Sequence, residues 1–350
     1  MRTVLMIGAL CTAGALLGSC GSGPAGTGTE ASPPGEGSLA EGLLPETDAG
    51  EAPFPQAPFS FGEVWGYVVA GREYALKPEL PLTDVGYFGA EVDSYGKLSG
   101  VPRRAALQSF SGRVHLVVVC NGRSLTHFAL EEGSRTRRQL VSDIIAAARP
   151  FDGLQIDFEN VPPRDGGSFR SFLEELGRGL EGRILSAALP ARTAARSDDV
   201  YDYRSIAPLA DRILIMAYDE HWSGSSPGPI ASLAWCRNIA RYGMETVGAE
   251  KLIMGIPFYG RTWGDINPNR AFFHSGIERI KTENQITEVQ RVDGIPSFSY
   301  ETRLTVTAYY EDSQSLREKL ESYRSLGIRS VGFWSIGQEA PDVWSLFPAK

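Results

Sequence analysis

The stretch Asp152-Gly-Leu-Gln-Ile-Asp-Phe-Glu-Asn160 has the alternation of a β-strand that packs on one face and carries polar groups on the other. Successive side chains of a strand point to opposite faces, so the apolar members pack together: Leu154, Ile156 and Phe158. The polar members share the second face: Gln155, Asp157 and Glu159. We expect the two carboxylates to lie roughly 6 to 7 Å apart, where ionising both is costly and one stays protonated near neutral pH. An acid beside a base is an arrangement that glycosidic-bond hydrolysis uses.

Seven similar apolar runs surround this stretch. Together the eight predicted strands cover residues 64–70, 85–90, 114–120, 153–159, 184–189, 213–218, 252–258 and 330–335. Segments with helical periodicity lie between many of them, at 135–148, 169–180, 232–242 and 315–326. Buried strands that alternate with helices indicate a parallel sheet. Eight units in about 290 residues predict an α/β fold, a (β/α)8 TIM barrel, because the Gly-rich phosphate turn of an open doubly wound sheet is absent.

The longest gap between predicted strands lies between the seventh and the eighth, at residues 259–329. Within it, 297–300, 305–310 and the turn Val292-Asp-Gly294 predict a small β-rich insertion. In a barrel this connection emerges at the carboxyl ends of the strands, where active sites are built. We therefore expect the insertion to form one wall of the cleft.

Residues 1–20 have the pattern of an export signal, with Arg2 followed by an apolar run at 4–17. Their last four residues, Leu17-Gly-Ser-Cys20, resemble the lipobox of bacterial lipoproteins, which implies that Cys20 is acylated and becomes the mature amino terminus. A plain cleaved signal and a membrane-spanning anchor are the alternatives, although the apolar run is short for the roughly 20 residues that a spanning helix needs. The resemblance implies an exported, membrane-anchored bacterial lipoprotein, and Ser22 in place of Asp favours the outer membrane or the cell surface.

Residues 21–58 are rich in Gly, Pro, Ser, Thr, Glu and Ala and cannot repay the entropy of ordering, which predicts a disordered tether. Residues 59–350 then form one catalytic domain, which we expect to be a monomer. The formal net charge of −8 makes nucleic acid an unsuitable partner. Of the cysteines outside the signal region, Cys120 and Cys236 are expected to be buried free thiols, with a bridge or a nucleophile as the alternatives. No Cys/His spacing suits a metal, and no cofactor is expected.

The stretch from Asp152 to Glu159 resembles the Asp-Gly-x-Asp-x-Asp-x-Glu signature of glycoside hydrolase family 18, the chitinase-like enzymes. Gln155 stands where most chitinases place the middle Asp. An amide there is common in the subgroup of bacterial spore-cortex-lytic N-acetylglucosaminidases, and Ile156-Asp-Phe-Glu-Asn-Val-Pro-Pro163 is similar to that subgroup.

Further segments carry the same resemblance over about residues 60–347. Met216-Ala-Tyr-Asp219 resembles the family's Met-x-Tyr-Asp motif at the end of the sixth strand, and Gly255-Ile-Pro-Phe-Tyr-Gly260 looks like its seventh strand. Gly332-Phe-Trp-Ser335 stands where the family has its eighth-strand Trp. The third-strand Ser-x-Gly-Gly motif of classical chitinases is replaced by Val118-Val-Cys-Asn-Gly122, which separates this chain from that branch.

The resemblance implies a retaining mechanism in which the substrate's own 2-acetamido group is the nucleophile. Glu159 would be the general acid and then the general base, Asp157 would orient the acetamido N–H, and Tyr218 would donate to the acetamido oxygen. The implied sugar-binding residues are Asp219, Trp334, Gln155, Tyr259 and Arg261.

The function that follows as an expectation is a glycosidase acting on β-1,4-linked glycans that contain N-acetylglucosamine. Chitin oligomers, peptidoglycan and an exopolysaccharide are the candidate substrates. A catalytically silent chitinase-like lectin is the alternative, although its usual mark is loss of the acid, and Glu159 is present. A lipoprotein scaffold that binds a partner protein is a third hypothesis, without a specific residue in its favour.

Overall fold

The structure is a computed structural model that describes residues 57–264, 270–301 and 305–349. The predicted signal peptide, Cys20 and all but the last two residues of the predicted tether lie outside this range. Within the described ranges, no helix is long and apolar enough to cross a membrane.

Eight parallel strands close into a barrel, with a smaller antiparallel sheet beside it. In chain order the strands are β1 (Glu63–Val69), β2 (Asp84–Val92), β3 (Leu98–Ser99), β4 (Arg113–Asn121), β5 (Gly153–Glu159), β6 (Ile184–Pro190), β7 (Arg212–Met216), β8 (Leu252–Pro257), β9 (Tyr259–Gly264), β10 (Arg270–Phe273), β11 (Gln290–Val292), β12 (Ile295–Glu301), β13 (Thr305–Tyr309) and β14 (Ser330–Trp334). The barrel order is β1-β14-β8-β7-β6-β5-β4-β2, and pairing of β2 with β1 closes it. The TIM-barrel prediction is confirmed.

The helices are α1 (Arg123–Leu130), α2 (Arg135–Ala148), α3 (Gly166–Gly179), α4 (Tyr203–Ile206), α5 (Leu233–Thr246), α6 (His274–Glu283) and α7 (Ser313–Ser325). The four longest match the predicted helical segments, because each has an apolar face that packs on the outside of the barrel. Side-chain caps fix three of their starts: Ser134, Ser232 and Asp312. The connections after β1 and β2 differ from a regular (β/α)8 unit, since each holds a short 3₁₀ helix in place of an α-helix, and the second also holds β3.

The insertion is a five-stranded antiparallel sheet in the order β10-β9-β13-β12-β11. Helix α6 packs on it through a small core of its own, formed by Ile277, Ile280, Phe298, Ala308 and Tyr310. The predicted β-rich insertion is therefore confirmed between the seventh and eighth barrel strands. Strand β9 and helix α6 were not predicted. The buried strand β9 contains Arg261 and Thr262, which break the apolar alternation by which strands are recognised.

A buried charge network closes the amino-terminal end of the barrel. Asp84, the first residue of β2, is fully buried and accepts hydrogen bonds from Arg113 Nε at 2.7 Å and Thr83 Oγ1 at 2.7 Å. His115 Nε2 lies 2.8 Å from the same carboxylate. Burial alone would raise the pKa of Asp84, but its hydrogen bonds to His115, Arg113 and Thr83 hold that pKa below its usual value. The network is thus a stability device at the end opposite the active-site face.

We expect Asp84→Ala to lower the free energy of unfolding by about 3 kcal/mol, because it leaves the buried His115 without the carboxylate that its Nε2 contacts. Since the folded-state pKa of Asp84 is depressed, its contribution is present at neutral pH and is lost as pH falls through that pKa. Urea denaturation at pH 7 measures the effect, with Glu174→Ala on the exposed face of α3 as the control. Equal stability of the two variants would contradict the assigned role.

Candidate active site

Strand β5 brings its three polar side chains to one face, as predicted. In register, Gln155 lies beside Val117 and Asp157 beside Val119 of β4. Both valines belong to the cluster that fills the barrel interior. The polar face of β5 therefore points into the barrel, and the last of the three, Glu159, ends the strand at its carboxyl end, the end at which barrel enzymes place their active sites.

Gln155, which was predicted to bind sugar, is almost fully buried in the barrel interior. It is 1% exposed, and its Oε1 accepts a hydrogen bond from Tyr67 Oη at 2.7 Å. Its Nε2 donates to Ser186 Oγ at 3.2 Å. Burial raises the pKa of Tyr67, so its hydroxyl keeps the proton that it donates. These contacts use both ends of the amide, so in this structure Gln155 supports the barrel interior beneath Asp157, and its predicted contact with a sugar stays a prediction.

Asp157 is the most unusual group of the site. It is 8% exposed, and its Oδ1 has no hydrogen-bond partner among the described residues. Burial raises the pKa of Asp157 well above its ordinary value, and the negative charge of Glu159 raises it further. A buried acceptor without a partner costs roughly 1 to 3 kcal/mol. Such a group is expected where a ligand supplies the missing donor.

Glu159 lies at the end of β5 and is partly exposed. Burial raises the pKa of Glu159, and the negative charge of Asp219 adds to the increase. The carboxyl therefore keeps its proton to a higher pH than an ordinary glutamate does. That is the property of a general acid near neutral pH.

Asn121 contacts the Glu159 carboxyl and is itself positioned by Asn160, and neither asparagine was predicted as a site residue. Asn160 Nδ2 donates to Asn121 Oδ1 at 2.9 Å, which leaves Asn121 Nδ2 to donate to Glu159 Oε2 at 3.4 Å. Asn160 has φ of +60°, a left-handed conformation that asparagine tolerates better than most residues. The sequence offered one sign of this contact: a segment that contains Asn121 replaces the third-strand motif of classical chitinases. The contact between Asn121 and Glu159 can be recognised only when β4 and β5 are paired in register.

Tyr218 and Asp219 lie two and three residues beyond Met216, the last residue of β7. The Tyr218 ring packs edge-on against Tyr259 with 6.3 Å between centroids. Gly255 on β8 makes room for it, because a Cβ there would lie 3.2 Å from Tyr218 Cε1 and 2.7 Å from the Ile215 carbonyl. The structure thus brings Tyr218 to the same rim as the carboxylates.

The insertion positions Asp219 through strand β9. Asp219 Oδ1 accepts from Tyr259 Oη at 2.6 Å and from Arg261 Nη2 at 2.8 Å. Both partners are about 6% exposed. Tyr259 and Arg261, predicted to bind sugar, are therefore brought to the site as the residues that hold Asp219, and the insertion contributes to the electrostatics around Glu159.

Trp334 ends β14 and is partly exposed at the floor of the barrel mouth. Its ring lies 4.8 Å from that of Phe88 and 5.7 Å from that of Tyr67, between centroids. This packing fixes the plane of the indole. Phe88 and Tyr67 are supports that the sequence did not reveal, and the role of Trp334 as an apolar face for a sugar ring stays a prediction.

The described residues contain no cluster of three or more His, Cys, Asp and Glu side chains that could hold a metal ion. Cys120 and Cys236 are both free and buried, as expected. Burial raises the pKa of each thiol to about 12, so neither is a thiolate nucleophile at neutral pH.

The charge of Asp219 leads to a prediction on pH dependence. Its negative charge opposes ionisation of Glu159, so Asp219→Asn lowers the pKa of Glu159, and the acid form is lost at a lower pH. The alkaline limb of the kcat/KM profile on a glycan substrate then moves to lower pH. Asparagine suits the φ of +59° at this position, and Asp198→Asn, at an exposed site with φ of +53°, is the control. An unchanged alkaline limb would contradict the coupling.

A family model matches the chain over residues 106–339, that of the glycosyl hydrolases of family 18. Among curated proteins, the cortical fragment-lytic enzyme of Bacillus subtilis is 27% identical over 228 residues, covering 60% of this chain and 52% of that enzyme. The Bacillus anthracis cortical fragment-lytic enzyme is 24% identical over 290 residues, covering 76% of this chain and 67% of that enzyme.

Among solved structures, the spore cortex-lytic enzyme SleL of Bacillus cereus superposes with a TM-score of 0.74 at 21% identity. The match covers 83% of this chain and 74% of SleL, and it shows a shared fold. The chain spans about half the length of the first curated relatives that it matches.

Proposed function

Since the chain belongs to the glycosyl hydrolases of family 18, we propose that it cleaves β-1,4-linked glycans that contain N-acetylglucosamine, with retention at the anomeric carbon. The nucleophile is the carbonyl oxygen of the substrate's 2-acetamido group. Chitin oligomers, peptidoglycan and an exopolysaccharide contain this group. The names of the cortex-lytic relatives favour peptidoglycan among these three.

The proposed reaction has two steps. In the first, Glu159 gives its proton to the glycosidic oxygen while the acetamido oxygen bonds to the anomeric carbon, which breaks the glycosidic bond and leaves an oxazolinium ion. In the second, the Glu159 carboxylate takes a proton from water as the water oxygen attacks the anomeric carbon. The bond from the acetamido oxygen to that carbon breaks, so the oxazolinium ring opens and the acetamido group is restored. The raised pKa of Glu159 supports both roles, because one group must donate and then accept a proton near the same pH.

The single observation that carries this proposal is the buried, partnerless Oδ1 of Asp157 next to the acid. An acetamido N–H is the donor that this oxygen lacks. When an acetamido group binds, its N–H pairs with the desolvated carboxylate. The carboxylate then stabilises the positive charge that grows on the amide nitrogen as the oxazolinium ring closes. A buried carboxylate that served only for packing is expected to accept hydrogen bonds from the protein, because burying it unpaired is costly.

The remaining groups support substrate binding. Tyr218, placed by Gly255, is the donor for the acetamido oxygen, and Trp334 supports the sugar that carries it. Asp219, held by Tyr259 and Arg261, raises the pKa of the acid and accepts from sugar hydroxyls.

We propose from the sequence alone that the enzyme is a lipoprotein anchored through Cys20, which places a glycan hydrolase at the cell envelope. Mass spectrometry of the mature amino terminus tests this. A lipid-modified Cys20 is expected. An unmodified chain that begins elsewhere would contradict the anchor and leave the catalytic proposal untouched.

The function is tested by mass spectrometry of the products formed from N-acetylglucosamine oligomers and from purified peptidoglycan. We expect new reducing ends next to N-acetylglucosamine in at least one of the two. If both substrates stay intact while the folded protein binds them, the protein is a lectin and the hydrolase proposal is wrong.

A further inference from the structure

A second polar site lies beside the catalytic centre, in a depression of about 550 Å³ between the start of α1 and the segment that follows β5. Its walls are Arg123, Ser124, His127, Pro162, Pro163 and Arg164. The backbone connects it closely to the site. Arg123 is two residues from Asn121, so their Cα atoms are at most about 8 Å apart. Pro162 is three residues beyond Glu159, which limits that separation to about 11 Å.

The depression is fixed to the strand end that carries the acid. Thr126 Oγ1, on α1, donates to the carbonyl of Asn160 at 3.4 Å and to that of Gly122 at 3.0 Å. Asp165 is buried and orients His127, whose Nδ1 lies 2.9 Å from Asp165 Oδ2. Helix α1 therefore contacts the residue that follows Glu159, and the imidazole of His127 is held in a defined orientation.

The charges in the depression are unbalanced. Arg123 and Arg164 are exposed, and within the described part of the chain neither forms an ion pair. The carboxylate of Asp165 is already paired with His127. Two guanidinium groups therefore line the same depression without a carboxylate of the described residues to neutralise them. In this setting they attract an anion, and guanidinium groups match a carboxylate in geometry.

We propose that this depression binds a carboxylate of an acidic glycan strand while the strand occupies the catalytic centre. The inference rests on the proposed function and narrows its substrate class to N-acetylglucosamine polymers with carboxylate substituents, as peptidoglycan has. Pro162 and Pro163 provide an apolar wall for the carbon skeleton that carries the carboxylate. Neutral chitin oligomers leave both arginines without a partner.

The test compares three ligands: soluble peptidoglycan strands, the same strands with carboxylates converted to neutral amides, and N-acetylglucosamine oligomers. Binding is measured by calorimetry in a Glu159→Gln background, so the readout does not depend on catalysis. We expect Arg123→Gln and Arg164→Gln each to weaken binding of the unmodified strands about two- to fivefold, since an exposed charge pair contributes up to about 1 kcal/mol. Binding of the two neutral ligands is expected to stay unchanged.

Arg178→Gln, at an exposed position on α3, is the matched control and is expected to have no effect. The weakening is also expected to shrink at high salt, because exposed charges are screened. Equal affinity of the double Arg123→Gln/Arg164→Gln variant and the parent for unmodified strands would overturn the inference. The inference would also be overturned if inorganic phosphate competed clearly better than acetate for binding, because the depression would then be a phosphate site. Binding that depends on these arginines without hydrolysis by the wild type would preserve the inference and refute the proposed function.

Discussion

Glu159→Gln is expected to lower kcat on N-acetylglucosamine oligomers by about 10²- to 10⁴-fold, the usual contribution of general acid and base catalysis. The amide keeps the shape of the carboxyl and the hydrogen bond from Asn121. It can neither protonate the glycosidic oxygen nor accept a proton from water. Because binding groups stay in place, KM is expected to change little, and steady-state kinetics on a chromogenic oligomer measures both constants.

Glu174→Gln, on the exposed face of α3, makes the same chemical change away from the site and serves as its control. It should leave kcat unaltered. A Glu159→Gln variant that keeps more than about a tenth of the wild-type kcat would fall outside the range for general acid catalysis and remove Glu159 from the mechanism.

Asp157→Asn is expected to lower kcat by about 10²- to 10³-fold, the loss typical when one preorganised electrostatic partner of the transition state is removed. The asparagine keeps an oxygen that can accept the acetamido N–H. It lacks the negative charge that stabilises the developing oxazolinium ion. The measurement is kcat on the same oligomers, for which the expected change is in kcat and only weakly in KM.

The same substitution is expected to leave the protein at least as stable as the wild type. Asp157 is a buried acid whose Oδ1 is unpaired in the described structure, and burial already disfavours its charged form. Replacing it with a neutral side chain of the same shape removes the cost of burying the charged form. Lower activity together with an equal or higher Tm would mark Asp157 as a functional residue that costs stability. A Tm that falls with the activity would instead indicate a structural role.

The barrel could be predicted because each of its strands has a recognisable local sequence pattern. Each of the eight runs is short, apolar and bounded by polar or turn residues, and each forms a barrel strand close to its predicted ends. The end of strand β7 was predicted incorrectly. The prediction extended it to Tyr218, whereas it ends at Met216, because a Tyr continues an apolar run equally well in a strand or in the loop after it.

The placement of the two candidate carboxylates could also be predicted, because Asp157 and Glu159 lie two residues apart on one strand, a separation that directs both to the same face. The supporting contacts could not. Gln155 meets Tyr67 across 88 positions of sequence, and Arg261 reaches Asp219 across 42. Those pairs exist only after the barrel closes and the insertion folds over its rim, so a single sequence has no local signal for them.

The account depends on the claim that the substrate's acetamido group is the nucleophile, with Glu159 as the acid. The most direct measurement is proton NMR of the product in the first minutes of hydrolysis of an N-acetylglucosamine oligomer, before the anomers equilibrate. The account predicts that the new reducing end appears first as the β-anomer, because two inversions at one carbon restore the starting configuration. An initial α-anomer would show a single displacement by water and would contradict the mechanism.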